Sequence, residues 1–212
     1  EIANYPSLKD KVVIVTGAGG SIGSEISRQV SKNKASKIIL LDANEYALYS
    51  IKQEIEGFGG DAEIYSVLTS VSNKNRIKEV CKAFNVDTIY HAAAYKHVSL
   101  VEENPFEAVL NNIHGTKLCA EAAIETEVDT FVLISTDKAV RPTNIMGATK
   151  RFSELILQSL AVEASTRMTM VRFGNVIGSS GSAIPLFQEQ IKAGGPVTVT
   201  HPEVIRYFMS IP

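Results

Sequence analysis

Short runs of β-branched and other apolar residues alternate along the chain with longer stretches in which apolar residues recur every three or four positions. The short runs predict strands at 12–16, 37–42, 63–67, 88–91, 131–135 and 169–173. The longer stretches predict helices at 21–31, 45–57, 74–84, 105–125 and 144–163. Strands that are apolar on both faces are typical of parallel strands covered by helices on either side. The alternation therefore predicts an α/β fold, a Rossmann-type doubly wound parallel sheet with helices on both faces.

The pattern changes after Phe173. Residues 174–181 are rich in Gly and Ser, and a turn at 194–196 precedes a short predicted strand at 197–200. We expect a linker at 1–10, a Rossmann-type domain at 11–174 and the beginning of a substrate-binding region at 175–212. Both ends of the sequence resemble limits within a longer chain, so the C-terminal substrate-binding part is expected to be incomplete.

Composition narrows the class of protein. With 45% hydrophobic and 21% charged residues and a net charge of −2, the 212-residue chain is typical of a soluble globular protein. We expect no basic footprint for nucleic acid or a membrane surface, no apolar run near the ~20 residues of a spanning helix, and no signal peptide. Cys81 and Cys119 are predicted to be buried, reduced thiols, which favours the cytoplasm. The four histidines are scattered, so no metal site is predicted.

A glycine-rich loop follows the first predicted strand and opens a helix. Gly17, Gly20 and Gly23 form a GxxGxxG pattern, which allows a tight turn and close backbone approach to a pyrophosphate at the helix N-terminus. Asp42 ends the second strand, roughly 20 residues beyond the loop. A carboxylate there accepts a hydrogen bond from a ribose 2′-hydroxyl and repels a 2′-phosphate, so NAD is favoured over NADP. The residues expected to bind this cofactor in the loop are Gly17, Gly20, Ser21, Ile22 and Gly23.

Several longer motifs carry a family resemblance. They are HAAAYKH at 91–97, STDKA at 135–139 with NIMGATK at 144–150, RFGNVIGSSG at 172–181 and VTVTHP at 197–202. With the glycine loop, they resemble the extended short-chain dehydrogenases/reductases, and within them the polysaccharide-biosynthesis UDP-N-acetylglucosamine 4,6-dehydratases. The similarity runs from about Lys11 to the last residue.

Two positions depart from the family pattern. Met146 replaces the tyrosine of the usual Tyr-x-x-x-Lys motif that ends at Lys150. The branch of large, membrane-anchored dehydratases shows the same methionine. Ser70 stands where relatives place an acidic residue that contacts the adenine, and its hydroxyl is expected to make a weaker hydrogen bond there.

The resemblance implies roles for the residues around the fifth strand. Asp137 would protonate the C6 oxygen of the sugar, Lys138 would remove the C5 proton, and Thr136 would hydrogen-bond the C4 hydroxyl. Lys150 would hold the nicotinamide ribose, and Met146 would pack over the ring. Ala92 and Ala93 would contact the cofactor. The substrate-binding residues implied are Lys96, His97, Asn175 and Arg206.

The resemblance further implies a UDP-sugar substrate, a cytoplasmic location and a homo-oligomer built on helices 105–125 and 144–163. This fragment is expected to make no direct membrane contact, and anchoring of the full-length protein at the cytoplasmic face of the inner membrane is one option. Two alternatives stay open at this point. One is a nucleotide-sugar 4-epimerase or C4 reductase, and the other is a dinucleotide-binding regulatory protein without turnover.

Overall fold

The computed structural model describes residues 6–178, 183–199, 203 and 207–211. The chain divides into two compact units, Glu1–Arg172 and Phe173–Pro212. The first unit is built on a six-stranded sheet of order β3-β2-β1-β4-β5-β6. Parallel pairing joins β1 to β2, β1 to β4, β2 to β3 and β4 to β5. The predicted Rossmann-type doubly wound sheet is confirmed.

The strands and helices fall close to the predicted positions. The strands are β1 (Val12–Thr16), β2 (Lys37–Asp42), β3 (Glu63–Leu68), β4 (Thr88–His91), β5 (Thr130–Thr136) and β6 (Arg167–Phe173). The helices of the first unit are α1 (Ser21–Lys32), α2 (Glu45–Glu56), α3 (Lys74–Phe84), α4 (Val98–Glu103), α5 (Pro105–Ala108), α6 (Thr116–Glu125) and α7 (Ile145–Leu160).

The alternation of side chains along the strands creates two hydrophobic cores, one on each face of the sheet. On one face, Ile14 of β1 and Ile39 of β2 pack with Ile77 of α3 and Ala120 of α6. On the other face, the neighbouring strand positions pack with buried residues of α1 and α2: Val13, Val15, Ile38, Leu40, Val30, Leu48, Ile51 and Ile55. Helices on both faces are therefore fixed by the two-residue period of the strands.

The chain ahead of β1 is not merely a polar linker. A 3₁₀ turn spans Pro6–Leu8, and the Leu8 side chain is buried in the core formed with α1 and α2. The N-terminal segment therefore contributes one apolar residue to the fold.

The edge strands differ from the expectation that all six strands are buried on both faces. In β3 and β6, most residues are exposed or half-buried, whereas β1 and β2 are almost entirely buried. Both lie at the ends of the sheet order, where a strand has a neighbour on one side only. The apolar pattern of an edge strand alone does not distinguish it from a central one.

The helix predicted at 105–125 is not a uniform α-helix. It begins as α5, continues through a π-helical segment at Val109–Gly115 and ends as α6. A further short helix, α4, lies in the stretch after β4 that carried no helix prediction.

The described residues of the second unit form α8 (Ala183–Lys192) and two short strands, β7 (Asn175–Val176) and β8 (Phe208–Met209), which pair in parallel. The strand predicted at 197–200 is wrong for residues 197–199, which are not in a strand, and residue 200 lies outside the described residues. No helix within the described ranges has the length and apolarity needed to cross a bilayer.

Candidate active site

The glycine loop between β1 and α1 leaves no room for side chains. Gly17 has φ +63°, and a Cβ there would lie 2.7 Å from the backbone N and Cα of Ala93. A Cβ on Gly23 would overlap the carbonyl oxygen of Gly17. At the start of α1, the N-cap residue Gly20 provides no side-chain cap. The loop therefore presents backbone, and the helix dipole behind it favours an anion.

Gly19 belongs to this loop although the predicted GxxGxxG pattern omits it. A Cβ on Gly19 would overlap the Cβ of Ala47 and lie 2.8 Å from its carbonyl carbon. The loop is thus packed against α2 as well as against the end of β4. The doublet Gly19-Gly20 was the available sequence signal.

Asp42 lies beside the loop. Its Oδ2 accepts a hydrogen bond from the Gly19 N–H (2.9 Å), and its Oδ1 accepts one from the Asn44 N–H (2.9 Å). Each carboxylate oxygen keeps a second lone pair with which it can accept from a hydroxyl. Ser70 lies in a turn after β3, where its exposed Oγ accepts from the Ser72 N–H (3.2 Å) and leaves the hydroxyl proton available for donation.

A chain of hydrogen bonds connects the glycine loop to α6. The Ala93 N–H donates to Thr16 Oγ1 (3.3 Å), and Thr16 Oγ1 lies 2.9 Å from His91 Nδ1. On the other side of the ring, His91 Nε2 lies 3.0 Å from Thr116 Oγ1, which donates to the Asn112 carbonyl oxygen (2.6 Å). Burial, with the nearby Lys150 charge, lowers the pKa of His91 to about 3, so the ring is neutral.

Asn112, in the π-helical segment, is completely buried and was missed by sequence reasoning. Its side chain accepts from the Tyr95 N–H (2.8 Å) and donates to the Tyr95 carbonyl (3.0 Å) and to Thr149 Oγ1 (3.0 Å). The segment after β4 is therefore fixed to α7 next to Lys150. An asparagine in the middle of an apolar helical pattern was the signal.

Thr136, Asp137 and Lys138 follow one another at the carboxyl end of β5. The Thr136 hydroxyl donates to Asp137 Oδ1 (2.9 Å), and Lys138 Nζ donates to the same oxygen (3.2 Å). The Asp137 and Lys138 side chains are 42% and 34% exposed, so solvent or a ligand can reach them. In doubly wound sheets, ligands bind at this end of the strands.

Lys150 and Met146 lie on the buried side of α7. Met146 packs against Val101 and Ala108 beneath α4 and α5. The Lys150 side chain is buried, with 5% of the residue exposed. Burial lowers the pKa of Lys150 to about 8, partly opposed by the negative charge of Glu154.

Glu154, one turn after Lys150, is a second polar residue that the sequence pattern did not reveal. Its carboxylate is fully buried and accepts hydrogen bonds from Ser135 Oγ (2.6 Å) and Arg172 Nε (2.8 Å). It occupies the same helical stripe as Lys150 and Leu157, which are both buried, and this spacing was the available signal.

The four predicted substrate-binding residues fall on different parts of the chain. Lys96 and His97 follow β4, both with exposed side chains, and desolvation lowers the pKa of Lys96. Asn175 lies in β7 of the second unit, where its N–H donates to the Tyr207 carbonyl (2.9 Å). Arg206 lies outside the described residues. Among the described residues, no cluster of His, Cys, Asp or Glu side chains is placed to hold a metal ion.

The fold and the glycine-loop motifs define a Rossmann-type domain of the extended short-chain dehydrogenase/reductase class. Comparison with known proteins narrows this further, because a family model described as polysaccharide biosynthesis protein matches residues 13–212. The chain therefore belongs to the polysaccharide biosynthesis protein family, as the motifs predicted.

Relatives that match the chain include proteins named as a dehydratase and proteins named as an epimerase. The chain is 59% identical over 97% of its length to the capsular polysaccharide biosynthesis protein CapD of Staphylococcus aureus. It is 32% identical over 95% of its length to a UDP-N-acetylglucosamine 4,6-dehydratase (inverting) of Campylobacter jejuni. It is 36% identical, also over 95%, to a UDP-glucose 4-epimerase of Rickettsia bellii. Among solved structures, Pen from Bacillus thuringiensis matches 96% of the chain with a TM-score of 0.88 and 38% identity.

These relatives are all longer than the chain. It spans 35% of the length of the S. aureus protein, 60% of the C. jejuni and R. bellii proteins, and 62% of the B. thuringiensis structure.

Proposed function

We propose that the chain is the NAD-binding part of an enzyme that dehydrates a UDP-N-acetylhexosamine, UDP-N-acetylglucosamine above all, to the 4-keto-6-deoxy sugar. A 4,6-dehydration needs an acid, a base and a hydride carrier at one site. The observation that carries the proposal is the Asp137–Lys138 pair at the carboxyl end of β5, with the buried Lys150 on the helix that follows.

The loop after β1 fits a dinucleotide. A side chain at Gly17 or Gly23 would collide with backbone, so the loop is shaped for close approach of a pyrophosphate to backbone N–H groups. Asp42 is placed to accept from a ribose hydroxyl, and its charge disfavours a 2′-phosphate. NAD held by this loop and Asp42 would supply a hydride acceptor for C4 of the sugar and a hydride donor for C6.

Proton transfers at the sugar can be assigned to three consecutive side chains. The Thr136 hydroxyl can accept the C4 hydroxyl proton and pass its own proton to solvent, which also reaches the partly exposed Asp137 that it hydrogen-bonds. Asp137 then carries the proton that O6 needs to leave as water. Lys138 removes the C5 proton and returns a proton to C5 when the hydride reaches C6. With this assignment the protons taken up and released balance over the reaction. No proton transfer is assigned to Met146, whose thioether has none to give.

Lys150 serves a different part of the reaction. Its ammonium, on a residue that is 5% exposed, suits the ribose hydroxyls of the cofactor and the developing charge on the C4 oxygen. Loss of Lys150 should therefore prevent the initial oxidation, whereas loss of Asp137 or Lys138 should block elimination.

The test uses the full-length protein with UDP-N-acetylglucosamine in D₂O. The parent should release a 4-keto-6-deoxy product that carries deuterium at C5. Lys138→Ala should lose C5 exchange, and Asp137→Asn should lose turnover but can still exchange C5. Removing a general acid or base should slow turnover by ~10²–10⁴-fold. Lys82→Ala, an exposed lysine of α3, is the matched control and should behave like the parent.

The result that would contradict the assigned base is C5 exchange at the parent rate in Lys138→Ala, and His97 would be the next residue to examine. A second candidate, 4-epimerisation, is favoured by the 36% identity to the R. bellii epimerase. An epimerase would return a UDP-sugar that retains its C6 hydroxyl. If the product has lost no water, the dehydratase proposal is wrong and the epimerase proposal takes its place.

Cofactor preference has its own test. Because Asp42 lies beside the loop, calorimetric titration should show tighter binding of NAD than of NADP. In Asp42→Asn, the difference in affinity between the two cofactors should be smaller. Equal or tighter binding of NADP by the parent would contradict the preference.

A further inference from the structure

Glu154 is a buried carboxylate that the proposed reaction does not use. Its side chain is 0% exposed, and four groups donate to it: Ser135 Oγ, Arg172 Nε, Arg172 Nη2 and Arg151 Nη1. Burial alone would raise the pKa of Glu154, but the hydrogen bonds from Arg172, Ser135 and Arg151 outweigh it and lower the pKa to about 2. The residue is therefore an anion at neutral pH.

The partners of Glu154 belong to three elements that meet beside the proposed site. Ser135 is in β5 and directly precedes Thr136, Arg172 is in β6, and Glu154 itself is in α7, one turn beyond Lys150. The short, charge-assisted bond from Ser135 leaves the end of β5 little freedom to move relative to α7.

A second contact holds the same two elements together. A Cβ on Gly147 would overlap the carbonyl oxygen of Lys138, so the turn after β5 lies directly against the first turn of α7. The turn is thus fixed at Gly147 on one side of Lys150 and at Glu154 on the other. Lys150 is the residue between these two attachments.

The charge of Glu154 also acts on Lys150. The negative charge of Glu154, on the same helix, raises the pKa of Lys150, and the Lys150 charge in turn lowers the pKa of His91 on β4. His91 is neutral above about pH 3, so Glu154 supplies the charge that opposes desolvation of the ammonium.

We infer that Glu154 is a positioning residue, which holds the Thr136–Lys138 turn in register with Lys150. The role in turnover rests on the proposed function, whereas the effect on Lys150 does not. A purely structural ion pair would stabilise the fold without either effect.

The experiment compares Glu154→Gln, Glu154→Asp and Ser135→Ala in the full-length protein. Glu121→Gln, which breaks the Lys74 ion pair between α3 and α6, is the control for loss of a carboxylate. Two quantities are measured. One is the pH midpoint at which Lys150 is acetylated by acetic anhydride in the absence of cofactor, followed by mass spectrometry. The other is kcat and KM for UDP-N-acetylglucosamine.

Glu154→Gln should move the Lys150 midpoint to lower pH and reduce kcat by roughly 10- to 100-fold with little change in KM, because misplacement of reacting groups acts mainly on the chemical step. Glu154→Asp should restore part of both. Ser135→Ala should lower kcat but leave the midpoint unchanged, and Glu121→Gln should match the parent in both measurements.

The inference is overturned if Glu154→Gln leaves the midpoint and kcat at the values of Glu121→Gln. If Glu154→Gln does not fold, Ser135→Ala decides, and an unchanged kcat there overturns the positioning role. If the parent itself shows no turnover, the proposed function fails, and the Lys150 midpoint then decides the inference alone.

Discussion

Gly17 and Gly59 illustrate two physical reasons for a glycine: a positive φ angle, and a lack of space for a side chain. Both have positive φ, +63° and +66°, but a Cβ on Gly59 would meet nothing within 4 Å, whereas one on Gly17 would collide with Ala93. Gly59→Ala should therefore cost only the backbone penalty of about 1–2 kcal/mol. Gly17→Ala should lower the free energy of unfolding by clearly more, on the order of 3 kcal/mol or above, and weaken NAD binding. Urea denaturation and calorimetry measure both, and equal losses would contradict the steric explanation.

The burial of Lys150 has a cost in stability that depends on pH. Its pKa is about 8 in the folded protein, below that of an unfolded lysine. The unfolded chain therefore binds more protons between those two values, and the free energy of unfolding rises with pH across that window. Below pH 8 the full penalty is present.

Lys150→Met should consequently stabilise the protein at pH 7 by about 3 kcal/mol, while abolishing the proposed oxidation. The gain should shrink as the pH rises from 8 to 10. Denaturation of the parent and the variant at both pH values measures it, since other titrating groups cancel in the difference. A gain that is the same at pH 7 and pH 10 would show that its origin is not the charge.

At the level of elements, the sequence predicted most of the sheet and the helices but not the features that shape the site. The strands follow from apolar runs, and the glycine loop follows from spacing. The π-helical segment does not, because residues 105–125 keep an unbroken helical pattern. Asn112 and Glu154 escaped notice because a polar residue in a helix is usually solvated, and only tertiary packing shows that both are fully buried.

The π-helical segment gives the element-scale prediction. Asn112 bonds to both the N–H and the carbonyl of Tyr95 and to Thr149. Asn112→Ala removes these partners of Tyr95, whereas the Thr149 hydroxyl keeps its bond to the Met146 carbonyl. The expected loss is about 2–4 kcal/mol in the free energy of unfolding. Asn111→Ala is the matched control in the same segment. Among the described residues, the Asn111 side-chain amide makes one side-chain hydrogen bond, to Asn112 Oδ1 (3.3 Å). Its loss should lower the free energy of unfolding by less than about 1 kcal/mol. Similar losses in the two variants would show that the Tyr95 contacts contribute little.

At the scale of the whole molecule, the exposed faces of two helical segments favour self-association. Phe152 and Leu155 of α7 are 55% and 44% exposed, and Phe106 and Leu110 of the α5 and π-helical region are exposed as well. Clusters of large exposed apolar side chains are typical of protein interfaces. We expect a homo-oligomer that uses these helices.

The double variant Phe152→Glu and Leu155→Glu should reduce the mass measured by light scattering to that of a monomer while circular dichroism stays unchanged. Tyr49→Glu, at an exposed aromatic of α2, is the control and should keep the parent mass. A monomeric parent, or a double variant with the parent mass, would contradict this assembly.

The hydrogen-bond chain through His91 has a consequence for proton exchange. Thr116 uses its one hydroxyl proton on the Asn112 carbonyl, so His91 Nε2 must donate to Thr116, and Nδ1 must accept from Thr16. Each hydrogen bond in this chain is then donated in the same direction, from Ala93 toward the π-helical segment. Donor and acceptor cannot exchange roles in one of these bonds unless they do so in the neighbouring bonds as well. The buried Nε2 proton should therefore exchange with D₂O only when β1, β4 and α6 separate. The nitrogen-15 NMR signal of His91 Nε2 would therefore report unfolding of the first unit. Its chemical shift should not change with pH above about 4, and its proton should exchange more slowly the more stable the sheet is.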